Sequence, residues 1–142
     1  MTRIHAKVKK LYPDSQLPTQ GHPGDAGYDI YVHRVEDKGS YYKVYSGIAV
    51  EPASGYYFEI FPRSSIYKKE CFVSNSAGII DSQYRGELIG ILYKRDMAAP
   101  IKKGERLLQM IARKQIQVDW EEVEELTDTS RGDGGFGSTG RD

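Results

Sequence analysis

No apolar run in this chain goes far before a glycine or a proline cuts it off. Fifteen glycines and six prolines are spread among short apolar stretches and eleven tyrosines. Strands of about 4–8 residues tolerate such punctuation, whereas helices need longer uninterrupted windows. The pattern predicts an all-β chain with many turns. Its 142 residues suffice for one domain with its own core. Charged residues make up 28% and the formal net charge is zero. That excludes a general nucleic-acid binder, which needs a basic face, and leaves room for a small anionic ligand at one local site. No apolar stretch approaches the roughly 18 residues of a membrane span. Arg3, Lys7, Lys9 and Lys10 precede no apolar segment, so no secretory signal is read there, and a soluble protein of the cytoplasm or nucleus is expected. The single cysteine, Cys71, reads as a small buried hydrophobe between Glu70 and Phe72, not as a nucleophile.

Along the chain, Ile4, Ala6 and Val8 alternate with Arg3, His5 and Lys7, which predicts a half-buried strand over residues 3–9. Pro13, Pro18, Gly21, Pro23 and Gly24 mark a loop. Strands are expected over Tyr28–Val32, Tyr41–Val50 and Tyr56–Phe61, with turns at Glu36–Ser40 and Pro52–Gly55. Pro62 ends the last of these, and Arg63–Tyr67 reads as a single helical turn. Cys71–Val73, Gly78–Ile80 and Glu87–Tyr93 continue the series. Glu105–Lys114 is ambiguous: Leu107, Leu108 and Ile111 fit a helical stripe, and a buried strand fits nearly as well. Glu121–Glu125, with four glutamates, reads as a solvated face.

Chemistry concentrates in Asn75–Glu87, which reads as a hairpin. Gly78 either supplies a positive φ or lets a ligand approach the backbone. Ile79 and Ile80 suit a strand. Asp81 follows at once, with Tyr84 and Gly86 close behind. A carboxylate beside an aromatic ring and free backbone groups suits the activation of a water and the holding of a flat ligand. The final stretch, Arg131–Arg141, holds five glycines and one aromatic residue and cannot form a core. It reads as a mobile arm that becomes ordered on a ligand. The domain therefore spans residues 1–126 and the arm residues 127–142.

Five stretches stand in order: Asp25-Ala26-Gly27-Tyr28-Asp29, Pro62-Arg63-Ser64-Ser65, Gly78-Ile79-Ile80-Asp81 with Tyr84-Arg85-Gly86, Gly104-Glu105-Arg106-Leu107-Leu108-Gln109, and Arg131-Gly132 with Gly134–Gly140. Together they resemble the five motifs of the trimeric dUTP pyrophosphatases, the dUTPases. The resemblance runs from about residue 6 to the last residue, and all five motifs in order are far more specific than any one. It implies a β jelly roll assembled as a homotrimer, with sites shared between chains and the arm crossing to a neighbour. It implies hydrolysis of dUTP to dUMP and pyrophosphate, with Mg²⁺ bound mainly through the phosphates, and Glu105–Lys114 as strand.

By the same resemblance Asp81 activates the attacking water, a task suited to a carboxylate that can take its proton. Tyr84 packs under the deoxyribose and leaves no room for a 2′-hydroxyl. Asn75 and the backbone around Gly78 and Ile80 read the uracil edge. Arg63, Ser64, Ser65 and Gln109 hold phosphates, and Arg131 and Ser138 reach the terminal ones. Phe136 stacks over the base, with Gly137 adding a backbone donor. Asp29 acts at one remove, through waters on the metal or by orienting an arginine. Gln83 and Leu108 depart from the common aspartate and alanine at positions without a chemical role. His5, His22 and His33 match no role and are expected at the surface. The related dCTP deaminases carry a catalytic glutamate where Ile91 stands here. A pseudo-enzyme that binds and signals is opposed by the intact Asp81, Tyr84 and Phe136.

Overall fold

The computed structural model describes residues 1–137 and is almost entirely β. Ten strands are present: β1 Lys7–Lys10, β2 Tyr28–Tyr31, β3 Arg34–Asp37, β4 Tyr41–Tyr45, β5 Ile48–Glu51, β6 Tyr56–Pro62, β7 Cys71–Val73, β8 Gly78–Ile80, β9 Ile89–Lys94 and β10 Arg106–Lys114. The one helical element is a 3-10 helix over Ser64–Lys69. Two four-stranded antiparallel sheets, in the orders β2-β10-β6-β8 and β3-β4-β9-β7, face each other as a jelly roll, and β1 and β5 form a separate ribbon. Alternation explains the core. Ile30, Phe58, Ile60 and Met110 from the first sheet meet Tyr42, Val44, Val73 and Leu92 from the second. Ile48, Leu88 and Leu92 are fully buried.

Strand β10 is the axis of the first sheet, pairing with β2 on one side and β6 on the other. Its register against β2 slips between Arg106 and Leu108, so two residues stand where the partner has one. This bulge turns both Leu107 and Leu108 into the core. Two consecutive inward side chains break the period-2 signal, which is why spacing alone left this segment open between helix and strand.

Several boundaries differ from the sequence reading. Strand β1 begins only at Lys7 and is exposed on both sides, so the stripe of Ile4, Ala6 and Val8 covers no core of its own chain. Glu36 and Asp37 belong to β3, and the turn is confined to Lys38–Ser40, with Gly39 at φ 88°. Tyr41–Val50 is two strands in different sheets, separated at Ser46-Gly47, with Gly47 at φ 72°. Pro62 is the last residue of β6, and the helical turn runs on to Lys69. Asn75–Glu87 is not a hairpin. β8 pairs with β6, while β7 and β9 pair with each other in the opposite sheet, so the stretch is the crossing between sheets. His33 is not a surface residue: its ring is stacked on Tyr12 at 4.6 Å and its Nε2 lies 2.9 Å from Asp14.

Cys71 is buried, as its sequence context predicts, and burial pushes its thiol pKa up. The last strand ends at Lys114, and residues 115–137 carry no helix or strand. No helix among the described residues is long and apolar enough to cross a membrane.

Candidate active site

The site residues fall into two groups at opposite edges of the first sheet. The first gathers around Asp29 on β2. Its carboxylate is buried and held by two guanidiniums: Arg63 Nε lies 3.0 Å from one oxygen and Arg106 Nη1 3.1 Å from the other. Arg63 also donates from Nη1 to the Arg106 carbonyl at 2.9 Å, which ties the end of β6 to the start of β10. Gln109 donates to the Pro62 carbonyl at 3.1 Å. A side chain at Gly27 would fall on the Gln109 amide, so the glycine of the first motif makes room for the glutamine of the fourth. Ser64 and Ser65 open the 3-10 helix, whose first inward N–H is that of Ile66, on the Arg63 carbonyl at 3.0 Å. Serine hydroxyls, amide groups at a helix start and a fixed guanidinium together suit phosphate oxygens.

Arg106 stands in the fourth motif, but the sequence alone assigns it no part. The signal that identifies it is the bulge, which aims it along the sheet at Asp29. Nearby, Lys69 lies 2.6 Å from Glu105. Partial burial is the largest single influence on Glu105 and pushes its pKa up, but the hydrogen bonds from Lys69 and the Lys102 N–H and the charges of both lysines together outweigh it, so it sits below the ordinary value.

The second group lies beyond the other edge of the sheet. β8 delivers Asp81 to the wall of an open groove of about 830 Å³, lined also by Tyr57, Ile79, Tyr84, Lys114 and Ile116. That volume is ample for a nucleoside. Among the described residues the Asp81 carboxylate makes no ion pair or hydrogen bond, in contrast to the doubly held Asp29. Tyr84 is fixed: its N–H closes a turn on the Asp81 carbonyl at 3.0 Å and its hydroxyl donates to the Glu87 carbonyl at 2.8 Å. A Cβ on Gly86 would strike the Tyr84 phenol, which explains that glycine. The positive φ of this crossing is carried by Ser76, at 62°, and not by Gly78, which lies in β8 opposite Ile60. Ile80 is the last residue of this strand, and Asn75 lies three residues before its start.

The register gives the separation of the groups. Asp29 is level with Gln109 and Phe61, while Ile80 is level with Phe58, one step before Asp81. Three strand spacings across and about four residues along put Asp29 and Asp81 roughly 20 Å apart. Among the described residues, the arm joins neither group on its own chain. Arg131 donates to the Gly134 carbonyl at 2.9 Å within a local turn, and Phe136 and Gly137 are exposed. Ser138 lies outside the described residues.

Both Asp29 oxygens are engaged by guanidinium, and no group of three or more His, Cys, Asp or Glu among the described residues could hold a metal ion. This donor set suits a metal carried by a phosphate ligand, not one caged by the protein.

The dUTPase family model matches residues 14–140. The chain belongs to the dUTPase family. It is 38% identical over 142 residues to the deoxyuridine 5′-triphosphate nucleotidohydrolase of Thermobifida fusca, covering 96% of this chain and 79% of that one. It is 44% identical over 140 residues to the enzyme of that name from Paramecium bursaria Chlorella virus 1, covering 94% and 96%. Among solved structures, the Staphylococcus bacteriophage 80alpha dUTPase with dUPNHPP superposes with a TM-score of 0.81 at 27% identity, over 96% of this chain and 99% of that one. Within this dUTPase fold, Ile91 lies in β9 and supplies no carboxylate for a deaminase.

Proposed function

We propose that this chain hydrolyses dUTP to dUMP and pyrophosphate, limiting uracil incorporation into DNA and supplying dUMP for thymidylate synthesis. The observation that carries the reading is the carboxylate of Asp81, unpaired among the described residues, on the wall of a groove that Tyr84 also lines. The deoxyribose lies on the Tyr84 ring, and Asn75 with the backbone at Gly78 and Ile80 reads the uracil edge. A 2′-hydroxyl or a 5-methyl group clashes there, and cytosine leaves buried groups unpaired. A water held by Asp81 attacks the α-phosphorus while its proton passes to the carboxylate. The bond from the α-phosphorus to the bridging oxygen breaks, and pyrophosphate leaves. Arg63, Ser64, Ser65 and Gln109 hold the phosphates, while Asp29 keeps Arg63 and Arg106 oriented. Mg²⁺, carried by the phosphates of the bound nucleotide, would neutralise part of their charge.

A dUTP triphosphate cannot span the roughly 20 Å between the two groups and still put its α-phosphorus at Asp81. Each site therefore joins the Asp81 edge of one copy to the Arg63 cluster of another, and a homotrimer satisfies this with three equivalent sites. The arm from residue 127 closes the site of a neighbour: Phe136 stacks on uracil, and Arg131, Gly137 and Ser138 reach the phosphates. Partners are dUTP, dUMP, pyrophosphate and other copies of the chain, with neither nucleic acid nor membrane involved. The substrate is an intracellular nucleotide, which puts the protein in the cytoplasm or nucleus. Pyrophosphate release is the test: dUTP is turned over, while dTTP, UTP and dCTP are refused. Comparable turnover of dTTP or UTP, or none of dUTP, would overturn the reading.

A further inference from the structure

Tyr84 is 43% exposed and lies outside the core, so the place of its ring depends on the backbone that carries it. One end of that segment is tied by β8 to β6. The other end is fixed at the start of β5: the Gly47 N–H donates to the Glu87 carboxylate at 2.8 Å, and the Leu88 N–H donates to the Ile48 carbonyl at 3.0 Å. Between these ends lies the turn that opens at Asp81, and Arg85 gathers it. Arg85 Nη1 donates to the Ser82 carbonyl at 2.7 Å and to the Tyr84 carbonyl at 3.1 Å. Its Nε faces the carboxylate of Glu51, the last residue of β5, at 3.6 Å. Among the described residues Glu51 is the one side chain from outside the crossing that pairs with Arg85, and its other oxygen lies 3.8 Å from Lys7. A guanidinium, with five donors in a flat fork, can serve two carbonyls through one nitrogen and face a carboxylate with another.

We infer that Arg85 is a positioning residue for sugar selectivity: it holds the turn, and through the turn the Tyr84 ring, while Glu51 sets its direction. The inference rests on the reading of Tyr84 as the floor under the deoxyribose. The phenol tip of that floor is anchored on the Glu87 carbonyl at 2.8 Å, beside the fixed end of the segment. The root of the ring sits in the turn, where among the described residues the backbone is held by Arg85 and by the Tyr84 N–H on the Asp81 carbonyl. Without the guanidinium the ring pivots about its tip. A ring excludes a 2′-hydroxyl by contact alone, so a shift of about 1 Å both admits the hydroxyl and spoils the fit to dUTP. Asp81 opens the same turn, so turnover of dUTP falls as selectivity is lost. Both partners of the Arg85–Glu51 pair are half exposed, so the pair adds little to stability and its effect lies in geometry.

The test uses full-length Arg85→Met, Arg85→Lys and Glu51→Gln, each compared with the parent for kcat/KM on dUTP and on UTP. Arg85→Met is expected to lower the dUTP-over-UTP ratio about tenfold, through slower turnover of dUTP and faster turnover of UTP, with the thermal midpoint unchanged. Arg85→Lys puts one point charge in place of a fork and gives an intermediate loss. Glu51→Gln lowers the ratio by a smaller factor and adds nothing in the Arg85→Met background, because it acts through Arg85. An unchanged ratio in Arg85→Met would overturn the inference and leave dUTP hydrolysis standing. So would an equal loss on both nucleotides, the mark of a contact to the phosphates they share or of simple unfolding. Tyr84→Ala is the control: a parent-like preference for dUTP in that variant would overturn both this inference and the sugar reading beneath it.

Discussion

Asp29 and Asp81 show how neighbours decide what a carboxylate does. Asp29 is buried between two guanidiniums and has no free oxygen for chemistry, whereas Asp81 meets no cation among the described residues. Only the second is free to take a proton from water. Asp81→Asn keeps the shape and loses the base, so turnover falls by about 10²–10⁴-fold. Nucleotide binding, followed by calorimetry with a non-hydrolysed dUTP analogue, stays close to that of the parent protein. Leu108 is decided by packing in the same way. It stands where alanine is common in the family, and its Cδ1 lies 2.8 Å from where a Cβ on Gly90 would sit. The larger residue fills the space that the glycine leaves. Leu108→Ala opens a void in the core and costs about 2–5 kcal/mol in urea unfolding. Gly90→Ala clashes alone, and the double variant is more stable than the two single losses added together.

At the level of elements, most strands are legible because alternation and turn residues write them directly. Tyr56–Pro62, Cys71–Val73 and Gly78–Ile80 are read almost residue for residue. The failures share a physical cause: information held by a partner strand. Ile4, Ala6 and Val8 form a true stripe, but burial of that stripe needs a surface the chain does not itself provide. Ser46-Gly47 interrupts the strand-forming residues of Tyr41–Val50 by only two positions, so the switch between sheets is easily read through. Asn75–Glu87 contains the right chemistry in the wrong topology, because β8 finds β6 and not its sequence neighbour. His33 looks like any loop histidine until Tyr12 and Asp14 fold over it. The same element contacts make an acid prediction. Asp14 is held below the usual carboxylate range by Lys103 and then His33, and Asp37 by Lys94 and the Gly39 N–H. A folded-state pKa below the unfolded one means that the unfolded chain binds more protons in acid, so stability falls as pH drops through the ordinary range near 4 and below. Thermal unfolding across pH 6 to 3 reads this slope, about those values, and Lys103→Met flattens it. These exposed pairs contribute modestly, so the change in slope is small.

For the whole molecule, all five motifs were legible as motifs, but their division into two groups was not, since sequence order carries no distance. The arm shows the same limit: its glycines mark it as unsuited to a core, and only the fold shows Phe136 clear of its own body. Truncation before Arg131 leaves the fold and the assembly unchanged by sedimentation and thermal unfolding, because none of the described residues it removes belongs to the core. It lowers turnover strongly, because closure over the phosphates is lost. Phe136→Ala gives a milder defect, as one base stack is worth roughly 1–3 kcal/mol.

The central claim is that Asp81 and Arg63 serve one reaction from different chains. It is tested most directly by mixing two inactive variants, Asp81→Asn and Arg63→Ala, denaturing and refolding them together, and measuring pyrophosphate release. In randomly mixed trimers about one site in four receives an intact Asp81 from one copy and an intact Arg63 from the next, so activity returns to about a quarter of the parent level. If mixed trimers are confirmed by mass and activity stays at the level of the separate variants, both residues act from the same chain and the shared site described here is wrong.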